Sequence, residues 1–114
     1  MSFRLSAREA GRVVVVSAAG RMTLDEGRTQ VRDLLHVQSV AGRNKFLLDL
    51  SEVEFIDSYG IGELARCFSV VRQSGGALKL CVVNGKVREM LEVTRLHLLF
   101  EIYEDEAAAV KSFF

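Results

Sequence analysis

The sequence predicts an α/β domain in which an antiparallel hairpin leads into a mostly parallel sheet. Two observations support this fold class. Short apolar segments with strand character alternate with segments of helical periodicity, and the first two strand segments follow each other with only a brief link. Strands that alternate with helices of this length are joined by parallel crossovers. The expected order is ββαβαβαβα, a mixed sheet of four to five strands with about four helices.

The N-terminal segments predict the hairpin and the first helix. Strand character covers Phe3–Ser6 and Arg12–Ala18, and the short link at 9–11 favours antiparallel pairing. Gly20 is expected to end this unit, and the capping box Thr23–Glu26 to begin a helix, because its two side chains can satisfy each other's backbone amides. The expected buried stripe is Leu24, Val31, Leu34, Leu35 and Gln38, and the expected solvated side is Arg28, Arg32 and Asp33.

The rest of the chain predicts three further strands, each followed by a helix. Lys45–Leu50 is a nearly continuous apolar run, which favours a central strand covered on both faces. The second helix is expected to be closed by Ser74-Gly75-Gly76, since glycine can adopt the left-handed cap conformation. The apolar positions of that helix are Ile61, Leu64, Ala65, Phe68 and Val71. The remaining elements are a strand over Ala77–Val83, a helix capped by Asn84, a short strand at Phe100–Tyr103 and a helix from about Asp105.

Composition excludes several classes of function. The 114 residues, 49% of them hydrophobic, are expected to form a single domain over 1–114 with a real core. Fifteen basic and fifteen acidic residues cancel, so direct nucleic-acid binding is not expected. The longest apolar run, 13–19, is far shorter than the roughly 20 residues of a membrane span. No secretory signal is visible at the N-terminus, so we expect a cytoplasmic protein without membrane insertion.

The densest local signal is Glu54–Gly62, between the central strand and the second helix. Ligands of open α/β sheets bind beyond the carboxyl ends of the strands, and a helix N-terminus favours an anion such as a phosphate near Ser58. The simpler interpretation is that Asp57 or Ser58 only caps the helix. Gly60 and Gly62 each cost helix stability, which suggests a close backbone approach at this turn.

Three catalytic interpretations of this region find little support. Gly60–Ala65 fits a loose dinucleotide fingerprint, but the acidic residue expected about 20 positions later is absent. Asp49 resembles a receiver-type phosphoacceptor but lacks an acidic pair to hold magnesium. Ser58 is not in a nucleophile elbow, and the only histidines, at 36 and 97, lie in other helical segments. The two cysteines, at 67 and 81, lack metal or redox spacing and are expected to be buried thiols, so no metal or cofactor is expected.

The segment Phe46–Gly62 resembles the signature of STAS domains, and especially of bacterial anti-sigma factor antagonists. The resemblance rests on Asp57-Ser58-Tyr59-Gly60-Ile61-Gly62 and on Phe46–Ile56 before it. The turn Gly20-Arg21-Met22, the pair Gly75-Gly76, the length and the element order are similar as well, so the resemblance covers nearly the whole chain. It implies a STAS-type fold.

The resemblance also implies a binding protein controlled by phosphorylation and not an enzyme. The serine after the aspartate is the phosphoacceptor in this family, which is Ser58 here. The implied partner is an anti-sigma factor with a GHKL-type serine kinase domain, which binds the unphosphorylated form and releases its sigma factor. A PP2C-type phosphatase is implied as the enzyme that restores binding. The expected partner-binding residues are Asp57, Ser58, Tyr59, Gly60, Gly62 and Thr23.

Within this motif, Ile61 is expected to point into the core and Tyr59 to project at the corner. The glycines are expected to keep the helix surface thin, so that a partner can approach Ser58. Two positions depart from the family pattern: Thr23 stands where an acidic residue is common, and Tyr59 replaces a small residue. Two alternatives therefore stay open, a constitutive STAS scaffold subunit of a signalling or lipid-transport assembly in which Ser58 is only a cap, and a small nucleotide-binding α/β domain.

Overall fold

A computed structural model describes residues 3–24, 29–82 and 84–114. The strands form one mixed sheet in the order β1-β2-β3-β4-β5. They are β1 Arg4–Ala10, β2 Val13–Met22, β3 Lys45–Ile56, β4 Ala77–Cys81 and β5 Ile102–Tyr103. The helices are α1 Gln30–Val40, α2 Ser58–Gln73, α3 Gly85–Val93 and α4 Glu106–Lys111, with a 3₁₀ turn at Leu96–Leu98. The predicted fold class and element order are confirmed.

The N-terminal hairpin is antiparallel as predicted, but both of its strands are longer. β1 continues to Ala10, so the turn lies at Gly11, whose φ of 63° is left-handed. The expectation that Gly20 ends the unit is wrong, because β2 passes through a register shift between Gly20 and Arg21 and ends at Met22. This extension aligns Met22 with Ile56 at the end of β3.

The central strand β3 is parallel to both of its neighbours, β2 and β4. It extends to Ile56, well beyond the predicted end at Leu50, so the expectation that Glu54–Ile56 belongs to the following link is wrong. The regular alternation of a strand is broken in this part, since Val53 and Ile56 are buried while Glu54 and Phe55 between them are exposed. The long strand places Asp57 at the carboxyl end of the sheet.

The first helix begins at Gln30, later than predicted. The predicted capping box includes residues 25 and 26, which lie outside the described part of the chain, as does Arg28. Val31 and Leu35 are buried as expected, but Arg32 is only partly solvated because it forms an ion pair with Glu63 of α2. The expectation that Arg32 simply faces solvent is therefore wrong.

Helices cover both faces of the sheet. The larger core lies on one face and includes residues of α1, α2 and α3, such as Leu35, Leu64 and Leu91. The opposite face has a smaller core of Val13, Val15, Leu47, Cys81 and Ala109. The two cores make β3 apolar on both sides, as its sequence predicts. Both cysteines are buried and free, which confirms the prediction of buried thiols.

A buried lysine holds α4 on the smaller core. Lys79 on β4 donates from Nζ to the backbone carbonyl of Ser112 at 2.9 Å and to its hydroxyl at 3.0 Å. The same Nζ lies 4.6 Å from the centre of the Phe113 ring, within the range of a cation–π interaction. Lys79 therefore ties the C-terminal end of α4 to the sheet.

Candidate functional site at the start of α2

Asp57 fixes the start of α2 at the carboxyl end of the sheet. Its backbone is extended, and its Oδ1 accepts a hydrogen bond from the Gly60 amide at 2.9 Å, the geometry of an N-cap. Its Oδ2 accepts from the Leu24 amide at 3.4 Å, and its own amide donates to the Met22 carbonyl at 3.3 Å. One residue thus joins the end of β2 to the first turn of α2.

Ser58 is the first residue of α2, and its side chain is exposed. The interpretation of Ser58 as the cap is wrong, because Asp57 takes that role. Across the residues that the structure describes, no protein group forms a hydrogen bond with the Ser58 hydroxyl. The hydroxyl is available to an external reactant.

Gly60 serves internal packing. A Cβ built on Gly60 would lie 2.4 Å from the Met22 carbonyl oxygen and 2.7 Å from Cγ1 of Ile56, and the residue is buried. The close approach predicted from this glycine therefore occurs, but its partner is the protein's own β2 and not an outside molecule. Gly62 is half-buried, and the nearest atom to its built Cβ is a terminal nitrogen of Arg66 at 3.4 Å.

Apolar surface surrounds Ser58. Tyr59 is 56% exposed and Phe55 is also exposed, with the Arg21 guanidinium 4.6 Å from the centre of the Phe55 ring. Ile61 points into the core, as expected. A groove of about 410 Å³ runs between the end of β3 and α3, and Ser58 is part of its wall. Its other lining residues are Glu54, Phe55, Ile56, Asp57, Lys86, Val87 and Met90.

Asn84 positions the far wall of this groove. Its Oδ1 accepts from the Lys86 amide at 2.8 Å, which confirms the predicted cap of α3. Its Nδ2 donates to the Val53 carbonyl at 3.0 Å. The side chain thereby fixes the start of α3 against β3, so Lys86 and Val87 face the same groove as Ser58.

A second cavity, of about 370 Å³, is lined by Tyr59 together with residues of α1 and α2. Here the buried carboxylate of Glu63 accepts from Nε of Arg32 at 2.8 Å and from Nε of Arg66 at 3.0 Å. Thr23 also lines this cavity. No sequence motif predicts this cluster, although Glu63 lies at helical spacing with the buried Cys67 and thus on the core-facing stripe of α2.

The environment of Glu63 also affects a cysteine. Burial raises the pKa of the Cys67 thiol from 9.0 to about 12, and the negative charge of Glu63 acts in the same direction. Burial likewise raises the pKa of Cys81. Both thiols stay protonated in the folded protein at neutral pH, so neither is a nucleophile there.

The predicted site residues fall into two groups. Asp57, Ser58 and Tyr59 form one corner, with Thr23 next to Tyr59 in the second cavity, whereas Gly60 lies beneath the surface. Within the described ranges, no cluster of three or more His, Cys, Asp or Glu side chains is arranged to hold a metal ion. No helix in the same ranges has the length and apolarity of a membrane span.

The sequence matches the STAS domain family over residues 4–109, and the chain belongs to this family. The anti-sigma F factor antagonist of Paenibacillus polymyxa is 30% identical over 90 residues, which are 79% of this chain and 68% of that protein. The crystal structure of the Thermotoga maritima protein TM1081 is similar with a TM-score of 0.85 at 25% identity, covering 95% of this chain and 92% of that one. The Bacillus cell fate determinant SpoIIAA, in its phosphorylated form, has a TM-score of 0.73 at 16% identity, covering 97% and 100% of the two chains.

Proposed function

We propose that this protein is an anti-sigma factor antagonist that is switched off by phosphorylation of Ser58. The proposed partner is an anti-sigma factor with a GHKL-type serine kinase domain, and a PP2C-type phosphatase would reverse the modification. The protein itself acts in the cytoplasm by binding and not as an enzyme. The observation that carries this proposal is the exposed Ser58 hydroxyl without a partner among the described residues, at a helix start surrounded by apolar surface. The names of the relatives support the same role.

The geometry around Ser58 supports a binding surface. The Tyr59 and Phe55 rings and the apolar groove next to Ser58 would be covered by a docked protein. Aromatic side chains of this kind are common anchors of protein interfaces. A partner that covers these rings also covers Ser58, so its kinase domain would meet the hydroxyl as a consequence of binding.

Charge explains how phosphate would end the complex. A phosphoserine carries about −1.5 to −2 charges at pH 7, and the N-terminus of α2 would stabilise it by about 0.3–1 kcal/mol. The Asp57 carboxylate on the preceding residue repels the phosphate. For a separation of about 5 Å between the two groups and an effective dielectric constant near 20, this repulsion is about 3 kcal/mol per unit charge. Solvent relieves this repulsion in the free protein, but a partner that excludes water restores it. We therefore expect phosphorylation to weaken the complex more than it weakens the fold.

The scaffold and nucleotide-binding alternatives are weaker on structural grounds. The scaffold alternative treats Ser58 as a cap, a role that belongs to Asp57. The nucleotide alternative needs Gly60 to leave room for a phosphate, but the space next to Gly60 is filled by the Met22 carbonyl. The phosphorylation switch, by contrast, requires an exposed Ser58 hydroxyl that does not cap the helix, which agrees with the position of Ser58.

The test is a comparison of four baits in a pull-down from the source organism's lysate: wild type, Ser58→Ala, Ser58→Asp and Ser69→Asp. Ser69 is also exposed on α2 and serves as the matched control for added charge. We expect wild type, Ser58→Ala and Ser69→Asp to recover the same GHKL-type kinase, and Ser58→Asp to lose it. Identical partners on all four baits would refute the switch and favour the scaffold alternative.

A stability measurement accompanies this test. Ser58→Ala is expected to keep its free energy of unfolding within about 0.5 kcal/mol of wild type, because the exposed hydroxyl does not cap the helix. Urea unfolding followed by circular dichroism measures the difference. A larger loss would show that the hydroxyl has a structural role.

A further inference from the structure

The cavity beside Tyr59 is built differently from the apolar groove. Thr23, Leu24, Arg32, Tyr59, Glu63 and Arg66 line it. We propose that this cavity binds an oxyanion, a phosphate or carboxylate group, between the guanidinium groups of Arg32 and Arg66. This inference concerns residues other than Ser58 and does not depend on the phosphorylation switch.

Glu63 holds both guanidinium groups in place through their Nε atoms. The carboxylate, with only 3% of its side chain exposed, accepts from Nε of each arginine, one on each oxygen. The side chains of Arg32 and Arg66 are 36% and 56% exposed. Within the described part of the chain, the hydrogen bonds of these two guanidinium groups to Glu63 use Nε and not the terminal NH₂ groups. These planar donors suit the two oxygens of a carboxylate or phosphate.

A purely structural role explains only one of the two arginines. Arg32 belongs to α1, and its bond to Glu63 links α1 to α2. Arg66 lies three residues after Glu63 on the same helix, so its ion pair joins no additional element. It does add a positive charge, which leaves two guanidinium groups against one carboxylate. Asp33, the next residue on α1, is exposed and accepts a hydrogen bond from the Thr29 hydroxyl at 3.1 Å.

The cavity is larger than the anionic group alone. Its volume of about 370 Å³ and its Tyr59 and Leu24 walls can accommodate either a free phosphate or the end of an acidic side chain. Two sources share this chemistry: a free phosphate, and a carboxylate on a protein side chain.

The proposal can be tested on the purified protein by NMR. Sodium phosphate and N-acetylglutamate methylamide, each at millimolar concentration, are titrated against sodium chloride at equal ionic strength. We expect the Nε–H signals of Arg32 and Arg66 and the amide of Tyr59 to shift in a saturable way with at least one of the two anions. A preference for phosphate indicates the free anion as the source, and a preference for the glutamate derivative indicates a protein carboxylate. Failure of both probes to shift these signals beyond the chloride control refutes the proposal.

Three variants separate binding from nonspecific charge effects. Arg66→Gln is expected to weaken anion binding at least about fivefold, since it removes one charged donor pair. Arg72→Gln, on the last turn of the same helix and stacked on Phe68, is expected to have no effect. Glu63→Gln is expected to weaken binding, because its single carbonyl oxygen can accept from only one of the two Nε atoms and the other guanidinium group loses its fixed position. Equal weakening by Arg66→Gln and Arg72→Gln would overturn the assignment of the site, even if Glu63→Gln fails to fold.

Discussion

Replacing Gly60 by alanine is expected to lower the free energy of unfolding, although alanine normally stabilises a helix. The added Cβ would lie 2.4 Å from the Met22 carbonyl oxygen and 2.7 Å from Cγ1 of Ile56. The Ile56 side chain can rotate away, but the carbonyl is part of β2 and cannot. The first turn of α2 must therefore move away from the sheet.

The magnitude follows from three effects. Overpacking a buried position costs about 1–3 kcal/mol. Movement of the turn also weakens the 3.3 Å hydrogen bond from the Asp57 amide to the Met22 carbonyl, worth about 0.5–1.5 kcal/mol. The higher helix propensity of alanine returns about 0.5–1 kcal/mol. The expected net loss is about 2 kcal/mol, or a melting temperature lower by about 8 °C for a domain of this size.

Gly62→Ala is the matched control. It lies in the same helix, and the nearest atom to its built Cβ is the flexible end of Arg66 at 3.4 Å. We expect this variant to be about 0.5–1 kcal/mol more stable than wild type. Urea unfolding of both variants by circular dichroism gives the comparison. If Gly60→Ala proves as stable as Gly62→Ala, the close contact with Met22 does not exist and Gly60 is free to serve a partner.

Three further predictions concern the cap, a thiol and the C-terminal helix. Asp57→Ala should lose about 1 kcal/mol of unfolding free energy, and Asp57→Asn much less, since asparagine keeps the acceptor for the Gly60 amide. Equal losses of the two variants in urea unfolding would contradict the capping role of Asp57. Because the folded pKa of Cys67 is raised to about 12, its contribution to stability is complete below pH 9.0 and declines between pH 9.0 and about 12. Urea unfolding across that range should show that the free energy of unfolding falls more steeply with pH for wild type than for Cys67→Ala, by up to about 1.4 kcal/mol per pH unit. If the free energies of the two proteins fall in parallel, the pKa of Cys67 is not raised. Lys79→Met should speed amide hydrogen exchange in α4, whose end Lys79 binds through Ser112, and unchanged exchange would show that packing alone holds this helix.

The sequence predicts the order of the elements well because their apolar patterns differ in period. It predicts their ends less well. The apolar run that predicts the central strand ends at Leu50, yet pairing with the extended β2 makes Glu54–Ile56 part of the strand as well. The helix α1 is observed from Gln30, while the predicted capping box includes residues 25 and 26, which lie outside the described residues.

The candidate site likewise contains some residues that a local sequence pattern predicts and others that it does not. Ser58 and its neighbours were found because they form a contiguous motif. The contact of Gly60 with Met22 and the cluster around Glu63 join residues that are distant in sequence, so no local pattern predicts them. An acid on the buried stripe of a helix was the one available signal for the cluster.

The two edges of the sheet have a consequence for the protein at high concentration. An exposed edge strand can pair with another molecule and start aggregation. Here β1 carries Arg4, Arg8 and Glu9 at one edge, and β5 at the other edge is only two residues long. Neither edge is a good template for an added strand. The molecule can therefore present aromatic rings around Ser58 while intermolecular β-pairing at its borders remains disfavoured.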